Sequence, residues 1–325
     1  MITDADQPAS SRYRGLDDLP ALLAFASACT ALRSPLRSSW HQGDIIWALQ
    51  TGGDRPQPCR FWVGPSGVEA LAWFESEGEV WIETLPASES LVRVAVDWVE
   101  DAWRRRLAGL GKPADTPLRI RAQAADARRI AALEALGYRR AGPAAVGFRL
   151  DLDGPIPPPE PPPGYCVRDS VGVDPALRAA AHRSAWNHLD HLGIAATSGF
   201  STEAYLSLTA SPVYDPTLDM LAVAPDGSLA ANCICWPDAV SGVGIFEPVG
   251  VALAHRGRRL ASAMMREAMT RLKARGHREA RVGTAPFNHA AIKAYLAAGF
   301  ERADSSNWWA KTLDEQSGSS PCPGP

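Results

Sequence analysis

The chain has 325 residues, 46% hydrophobic and 21% charged, with a formal net charge of -3 at pH 7, a balance expected of a globular protein with one or two substantial cores. Arginines are offset by carboxylates along the chain, which argues against a nucleic-acid footprint, and no apolar run reaches the roughly 18 residues of a membrane-spanning helix. Residues 1–11 are polar and acidic and lack a basic segment followed by an apolar stretch, so no secretory signal and a cytoplasmic location are expected.

In chain order, the first half predicts a long amphipathic helix at 91–107, a short strand at 118–122, and then a cap, helix, glycine and aromatic from Asp126 to Tyr138. It also holds seven tryptophans (Trp40, Trp47, Trp62, Trp73, Trp81, Trp98, Trp103), read as core and interface material in preference to a ligand cage. Residues 155–163 contain seven prolines, which cannot continue a helix or a central strand and predict a stiff extended spacer. The spacer divides the chain nearly in half.

The second half predicts a strand near 165–168 and helices within 175–188 and 202–209. A polar loop with Trp186, His188, Asp190 and His191 joins the two helices. Strands follow at 220–224, 230–236 and 244–251, with Pro225-Asp226-Gly227 as hairpin-turn chemistry between the first two. A helix at 262–275, ended by Gly276, then a strand at 280–284 and a helix capped by Asn288 complete the half. An offset carrying Asp126 onto Asn288 also carries Gly137-Tyr138 onto Gly299-Phe300, so a duplication is expected. Residues 316–325, rich in Ser, Gly and Pro, are expected to be disordered.

Six cysteines are widely spread, with no CxxC pair and no histidines at metal-ligand spacing, and they read as reduced thiols. The densest chemistry lies where the strand at 244–251 meets His255-Arg256-Gly257-Arg258-Arg259 at the start of a helix. Arginines at that end oppose the helix dipole, an arrangement that makes best sense if a phosphate sits there. A solvated basic turn is the alternative.

This order resembles the GNAT N-acetyltransferase superfamily. The resemblance covers residues 164–313, and its loop pattern of Gln or Arg, two residues, Gly, one residue, then Gly or Ala falls on Arg256 to Ala261, with Arg259 in place of the first glycine. It implies an α/β (α+β) fold of two tandem GNAT-like domains, each a mixed, mostly antiparallel sheet flanked by helices and closed by a terminal hairpin. The expected divisions are a degenerate domain at 1–150, a linker at 151–163, the acetyltransferase domain at 164–314 and a tail at 315–325.

The same resemblance implies acetyl-CoA as co-substrate with no metal. Backbone groups of Val249, Gly250 and Val251 would pair with the pantetheine arm, and the amides of Arg256, Gly257, Arg258, Arg259, Leu260, Ala261 and Ser262 would hold the pyrophosphate. Asn288 and Tyr295 fall at the matching helix, where Asn288 would join the cofactor-binding residues and Tyr295 would protonate the departing thiolate or else pack in the core. Trp186, His188 and His191 fall where the family walls its acceptor pocket, or in a merely solvated loop. Glu247 shares the strand parity of Val249 and Val251, and it is either the general base for the amine or a strand-edge carboxylate.

Residues 80–91 of the first half lack arginine and glycine where a phosphate loop belongs, Glu89 would repel the anion, and Leu133 replaces Tyr295. The first half is therefore expected to buttress the second or to wall its acceptor site. The expected activity is direct acetyl transfer from acetyl-CoA to a primary amine of a small molecule, by a monomer or homodimer. The alternatives are an acyl-CoA sensor without turnover and an enzyme using a longer acyl donor.

Overall fold

The computed structural model describes residues 9–32, 40–50, 59–187, 189 and 198–313. The first half runs β1 (Ala9–Arg12), α1 (Leu19–Leu32), α2 (Gln42–Gln50), β2 (Cys59–Gly64), β3 (Gly67–Ser76), β4 (Glu79–Thr84), α3 (Leu91–Leu110), β5 (Leu118–Gln123), α4 (Ala127–Ala135) and β6 (Arg139–Asp151). The second runs β7 (Cys166–Asp169), α5 (Pro175–Trp186), α6 (Thr202–Thr209), β8 (Asp219–Val223), β9 (Leu229–Asp238), β10 (Val243–Val251), α7 (Leu260–Ala274), β11 (Glu279–Thr284), α8 (His289–Ala298) and β12 (Glu301–Lys311). The disordered tail expected at 315–325 lies outside the described residues.

The repeat is visible in its local chemistry. Asp126 Oδ1 accepts from the Arg129 N–H at 3.1 Å, and Asn288 Oδ1 accepts from the Ala291 N–H at 3.2 Å, so each satisfies an orphan amide at the start of its helix. At the other ends Gly137 and Gly299 take positive φ of 88° and 110°, which turns the next residue back toward the helix. Tyr138 N–H then reaches the Leu133 carbonyl at 3.0 Å and Phe300 N–H reaches that of Tyr295 at 3.1 Å, and both aromatic rings are buried.

The described strands form one mixed, mostly antiparallel sheet in the order β1-β2-β3-β4-β5-β12-β6-β11-β10-β9-β8-β7. This order records an exchange of last strands between the halves. β6 pairs with β11 from Glu279↔Asp151 to Thr284↔Val146, whereas β12 pairs with β5 from Ser306↔Gln123 to Lys311↔Leu118 and with β6 on its other side. The terminal hairpin implied by the family order is thus replaced by one strand, β12, seated between two strands of the first half. An antiparallel ladder needs only a complementary edge, and each half supplies the edge that the other lacks.

Three buried clusters follow from this layout. One lies under α7 and α8 and takes Phe148, Leu150 and Leu152 from the first half; a second lies under α3 and takes Trp309 and Leu313 from the second. The third joins the halves directly, packing Leu22, Phe25, Ile45 and Trp73 with Ala179, Leu208, Trp236 and Ile245. A Cβ added to Gly43 of α2 would come within 2.5 Å of the Trp236 ring, so glycine is what lets α2 rest on the second half's sheet.

Candidate active site

β10 and β11 begin as parallel neighbours, pairing from Val243↔Glu279 to Phe246↔Val282, and then separate. The ladder between β10 and β9 shifts register between Phe246 and Val249, and Trp236 of β9 donates its Nε1–H to the Glu247 carbonyl at 2.6 Å. This bulge fixes Glu247 at the point where the strands part. β10 continues to Val251 with α5 pressed against it: a Cβ on Gly250 would stand 2.0 Å from the Trp186 ring and 2.8 Å from the Ala185 Cβ. Trp186 stacks on His182 with centroids 4.2 Å apart.

Beyond the strand, the first bond into α7 runs from the Ala263 N–H to the Arg259 carbonyl at 3.1 Å, leaving the amides of Leu260, Ala261 and Ser262 at the open positive end of the helix. Arg259 itself has φ of 62°, a left-handed conformation found at no other non-glycine among the described residues. Its place in the loop pattern belongs to glycine, and the backbone has kept the shape glycine would give. Replacing Arg259 by Gly is expected to stabilise the fold by about 0.5–1 kcal/mol, after the entropic cost of glycine is set against the relieved strain. An Arg259→Ala control retains the strain and is expected to gain nothing in denaturant midpoint.

The arginines divide their work. Arg256 donates Nε–H to the Val251 carbonyl at 3.1 Å and Nη2 to the carbonyls of Ala185 and Asn187 at 3.2 and 3.3 Å, while its own N–H bonds the Leu253 carbonyl at 3.3 Å. It clamps the end of β10 to the end of α5, with its amide turned to Leu253. The Val251 carbonyl is likewise engaged. Gly257, Arg258 and Arg259 are exposed, with the Arg258 guanidinium 6.0 Å from the Tyr165 ring centre.

Where β10 and β11 part, a cavity of about 490 Å³ opens between the two halves. Its walls include Trp40, Trp47, Trp73, Trp81 and Trp308, with Asp44, Glu75, Glu247 and Asp304 among the polar groups. Trp40 meets Trp73 and Trp81 edge to face, at centroid distances of 6.4 and 5.4 Å. The tryptophans expected to be core therefore divide: Trp62 packs with Trp98 and Trp103 of α3 in one buried cluster, and the other four line the cavity.

Glu247 is half-buried in this wall, and its carboxylate has no hydrogen-bond or ion-pair partner among the described residues. Burial, reinforced by the negative Asp44 and Glu75, pushes it up to about 8. Tyr295 is buried edge-on to Phe148 at 5.6 Å, and its hydroxyl points to the Gly283 carbonyl of β11 at 3.5 Å. Burial and the nearby Glu247 charge push its phenol well above the ordinary value, so it stays protonated.

Asn288 uses its side-chain oxygen to cap α8, which places that helix and Tyr295 with it. Trp186 is not among the cavity's lining residues, and His188 and His191 lie outside the described residues.

The equivalent place in the first half is closed. β4 and β5 pair only at Glu79↔Arg119 and Val80↔Ile120, and the freed Ile82 carbonyl accepts from buried Arg129 at 2.5 Å. Arg129 also donates to Thr84 Oγ1 at 3.0 Å and pairs with Glu89 at 3.8 Å. A guanidinium thus occupies the edge that stays open in β10, where the repeat places Ala291 opposite.

Residues 186–300 match the acetyltransferase (GNAT) family. That stretch, most of the second half, is similar to a GNAT domain. Over nearly its whole length the chain shares a fold with a GCN5-related N-acetyltransferase from Sphaerobacter thermophilus, at 25% identity, with 94% of this chain and 96% of that one covered and a TM-score of 0.58. A tandem GNAT protein from the clavulanic acid biosynthesis pathway is 16% identical, with 93% and 98% covered and a TM-score of 0.59. A GNAT-family acetyltransferase from Colwellia psychrerythraea is 15% identical, with 93% and 99% covered and a TM-score of 0.53. No curated protein sequence matches the chain. The tandem GNAT layout and the family match support acyl-CoA-dependent acetyl transfer in general. Among the described residues, no helix is long and apolar enough to cross a membrane.

Proposed function

We propose that the chain transfers an acetyl group from acetyl-CoA directly to a primary amine of a small molecule, with residues 164–314 as the catalytic unit. Residues 1–150 serve as a non-catalytic partner, and 151–163 as the link between them. The observation that carries this reading is the Glu247 carboxylate, without a partner among the described residues, at the point where β10 leaves β11. The amides of Leu260, Ala261 and Ser262 receive the pyrophosphate, and the free edge of β10 through Val249 and Gly250 aligns the pantetheine arm beside the cavity.

Glu247 takes a proton from the ammonium, because only the neutral amine has a lone pair for the thioester carbon. The nitrogen–carbon bond forms, the carbon–sulfur bond breaks as Tyr295 delivers its proton to the departing sulfur, and the second proton shed by the acylated nitrogen restores the Tyr295 hydroxyl. Its raised pKa keeps the phenol protonated before reaction and also makes it a weaker acid, so the transfer depends on the thiolate's closeness and not on acid strength.

The test is thiol release from acetyl-CoA across a panel of amines. Tyr295→Phe is expected to lower kcat by about 10²-fold while calorimetry finds CoA affinity unchanged. Equal turnover would return Tyr295 to core packing. A second reading, an acyl-CoA sensor without turnover, is favoured by the departure at Arg259. CoA binding with no transfer to any amine would establish it.

A further inference from the structure

The cavity between the halves has a composition that constrains what can enter it. Six carboxylates line it (Asp44, Glu75, Glu79, Glu247, Glu279, Asp304) against three guanidiniums (Arg121, Arg149, Arg281). Two of those guanidiniums are engaged with Glu279, and Glu79 faces Arg119 at 3.5 Å. Asp44, Glu75, Glu247 and Asp304 have no ion-pair partner among the described residues. His41 adds no positive charge: its Nδ1 accepts from the Gly43 N–H at 3.1 Å and its Nε2–H donates to the Val243 carbonyl at 3.2 Å, which is a neutral tautomer.

The walls between these carboxylates are indole faces. One face already holds a cation, since the Arg121 guanidinium lies 3.8 Å from the centre of the Trp81 ring and is tethered there by Nε–H to Ser306 Oγ at 2.7 Å. Aromatic faces and carboxylates share one preference, for positive charge. A neutral or anionic guest would leave Arg121 as the one cavity guanidinium not engaged with Glu279 to balance four carboxylates that have no ion pair among the described residues.

Building on the acyl-transfer reading, we propose that the acceptor is a small amine bearing at least one further positive charge, and that the first half selects it through Trp73, Trp81, Asp44 and Glu75 across the cavity from Glu247. The amine that reacts loses its proton to Glu247. The second cationic group keeps its charge and is held between the indoles and the far carboxylates. Asp44 and Asp304, each pushed up to about 6 by burial, are the groups that such a guest would return toward ordinary acidity. The first half then supplies specificity where its own cofactor edge has been closed by Arg129.

The test compares putrescine and spermidine with n-butylamine and aminobutanol in two measurements on the full-length protein: calorimetric binding without acetyl-CoA, and thiol release with it. Putrescine, a dication, and spermidine, a trication, are expected to bind, and to show kcat/KM at least about tenfold higher than the monoamines. Glu75→Gln and Asp304→Asn, each checked for unchanged melting, are expected to raise KM for putrescine about tenfold and that for n-butylamine by less than about twofold. Selective putrescine binding without thiol release would support the dication site and remove the transfer reading. Thiol release with n-butylamine as effective as putrescine would keep the transfer reading and overturn the dication site.

Discussion

Replacing Glu247 by Gln is expected to lower amine acetylation by about 10²–10⁴-fold and to flatten the alkaline rise in kcat/KM. The wild-type carboxylate sits at about 8 because burial and the charges of Asp44 and Glu75 oppose its ionisation, so the rate should climb as pH passes through that value. The same substitution has a second consequence that does not depend on catalysis. An unfolded chain releases this proton near the ordinary 4.5, whereas the folded protein holds it to about 8. Between those values the native state binds more protons, so wild-type stability falls as pH rises through the window. The Glu247→Gln enzyme has no charge to desolvate, and its melting temperature should match wild type at pH 4 and exceed it increasingly up to about pH 8. A gap independent of pH would contradict the buried carboxylate, and unchanged turnover would place the base elsewhere.

A bound dication would oppose that shift. The apparent pKa read from kcat, which reports the acceptor complex, should therefore lie below the one read from kcat/KM. The proton on Glu247 links the catalytic reading to the acceptor reading.

The reach of the sequence can be judged residue by residue. The capped helices at Asp126 and Asn288 and the helix that opens after Arg259 were readable because each is a contact within a few positions of chain. Arg259 in a glycine position was readable for the same reason, and its φ of 62° carries the mark in the backbone. The bulge between Phe246 and Val249, by contrast, shifts the register and puts Glu247 on the opposite face from Val249 and Val251, against the parity read from the sequence. The strand exchange was not readable. The alternation of β6 and β12 is the same whichever edge they join, and only the assembled sheet shows that β12 lies between β5 and β6.

The cavity escaped notice because α2, β3, β4, β6, β10, β11 and β12 must meet before it exists. One local signal was present: Trp73 with Glu75, and Glu79 with Trp81, alternate at strand spacing so that each pair shares a face. Aromatic and acid side by side on one strand face is unusual for core. Trp186, by contrast, drew attention through a polar loop, while its ring packs on Gly250.

Replacing Asp219 by Asn is expected to destabilise the protein by about 3–5 kcal/mol. Asp219 accepts from Arg178 Nε and Nη2 at 2.9 and 2.8 Å and from the hydroxyls of Tyr205 and Tyr214 at 2.9 and 3.0 Å. Arg178 gives its remaining arm to Asn232 Oδ1 at 3.1 Å, and the two charged side chains are 1% and 0% exposed. Removing the carboxylate leaves a guanidinium deep in protein with no counter-charge. An exposed pair such as Arg93 and Asp97, at 66% and 55% exposure, should cost less than about 1 kcal/mol when broken the same way. The double variant Arg178→Met/Asp219→Leu is expected to recover most of the loss, because no charge then remains to be buried. This network ties α5 and α6 to β8 and β9, and α5 carries the Trp186 that rests on Gly250 of β10. Weakened acetyl-CoA binding should therefore accompany the single substitution even at temperatures where the chain stays folded. If Asp219→Asn costs no more than breaking the exposed pair, the buried charge is not what holds α5 against the strand.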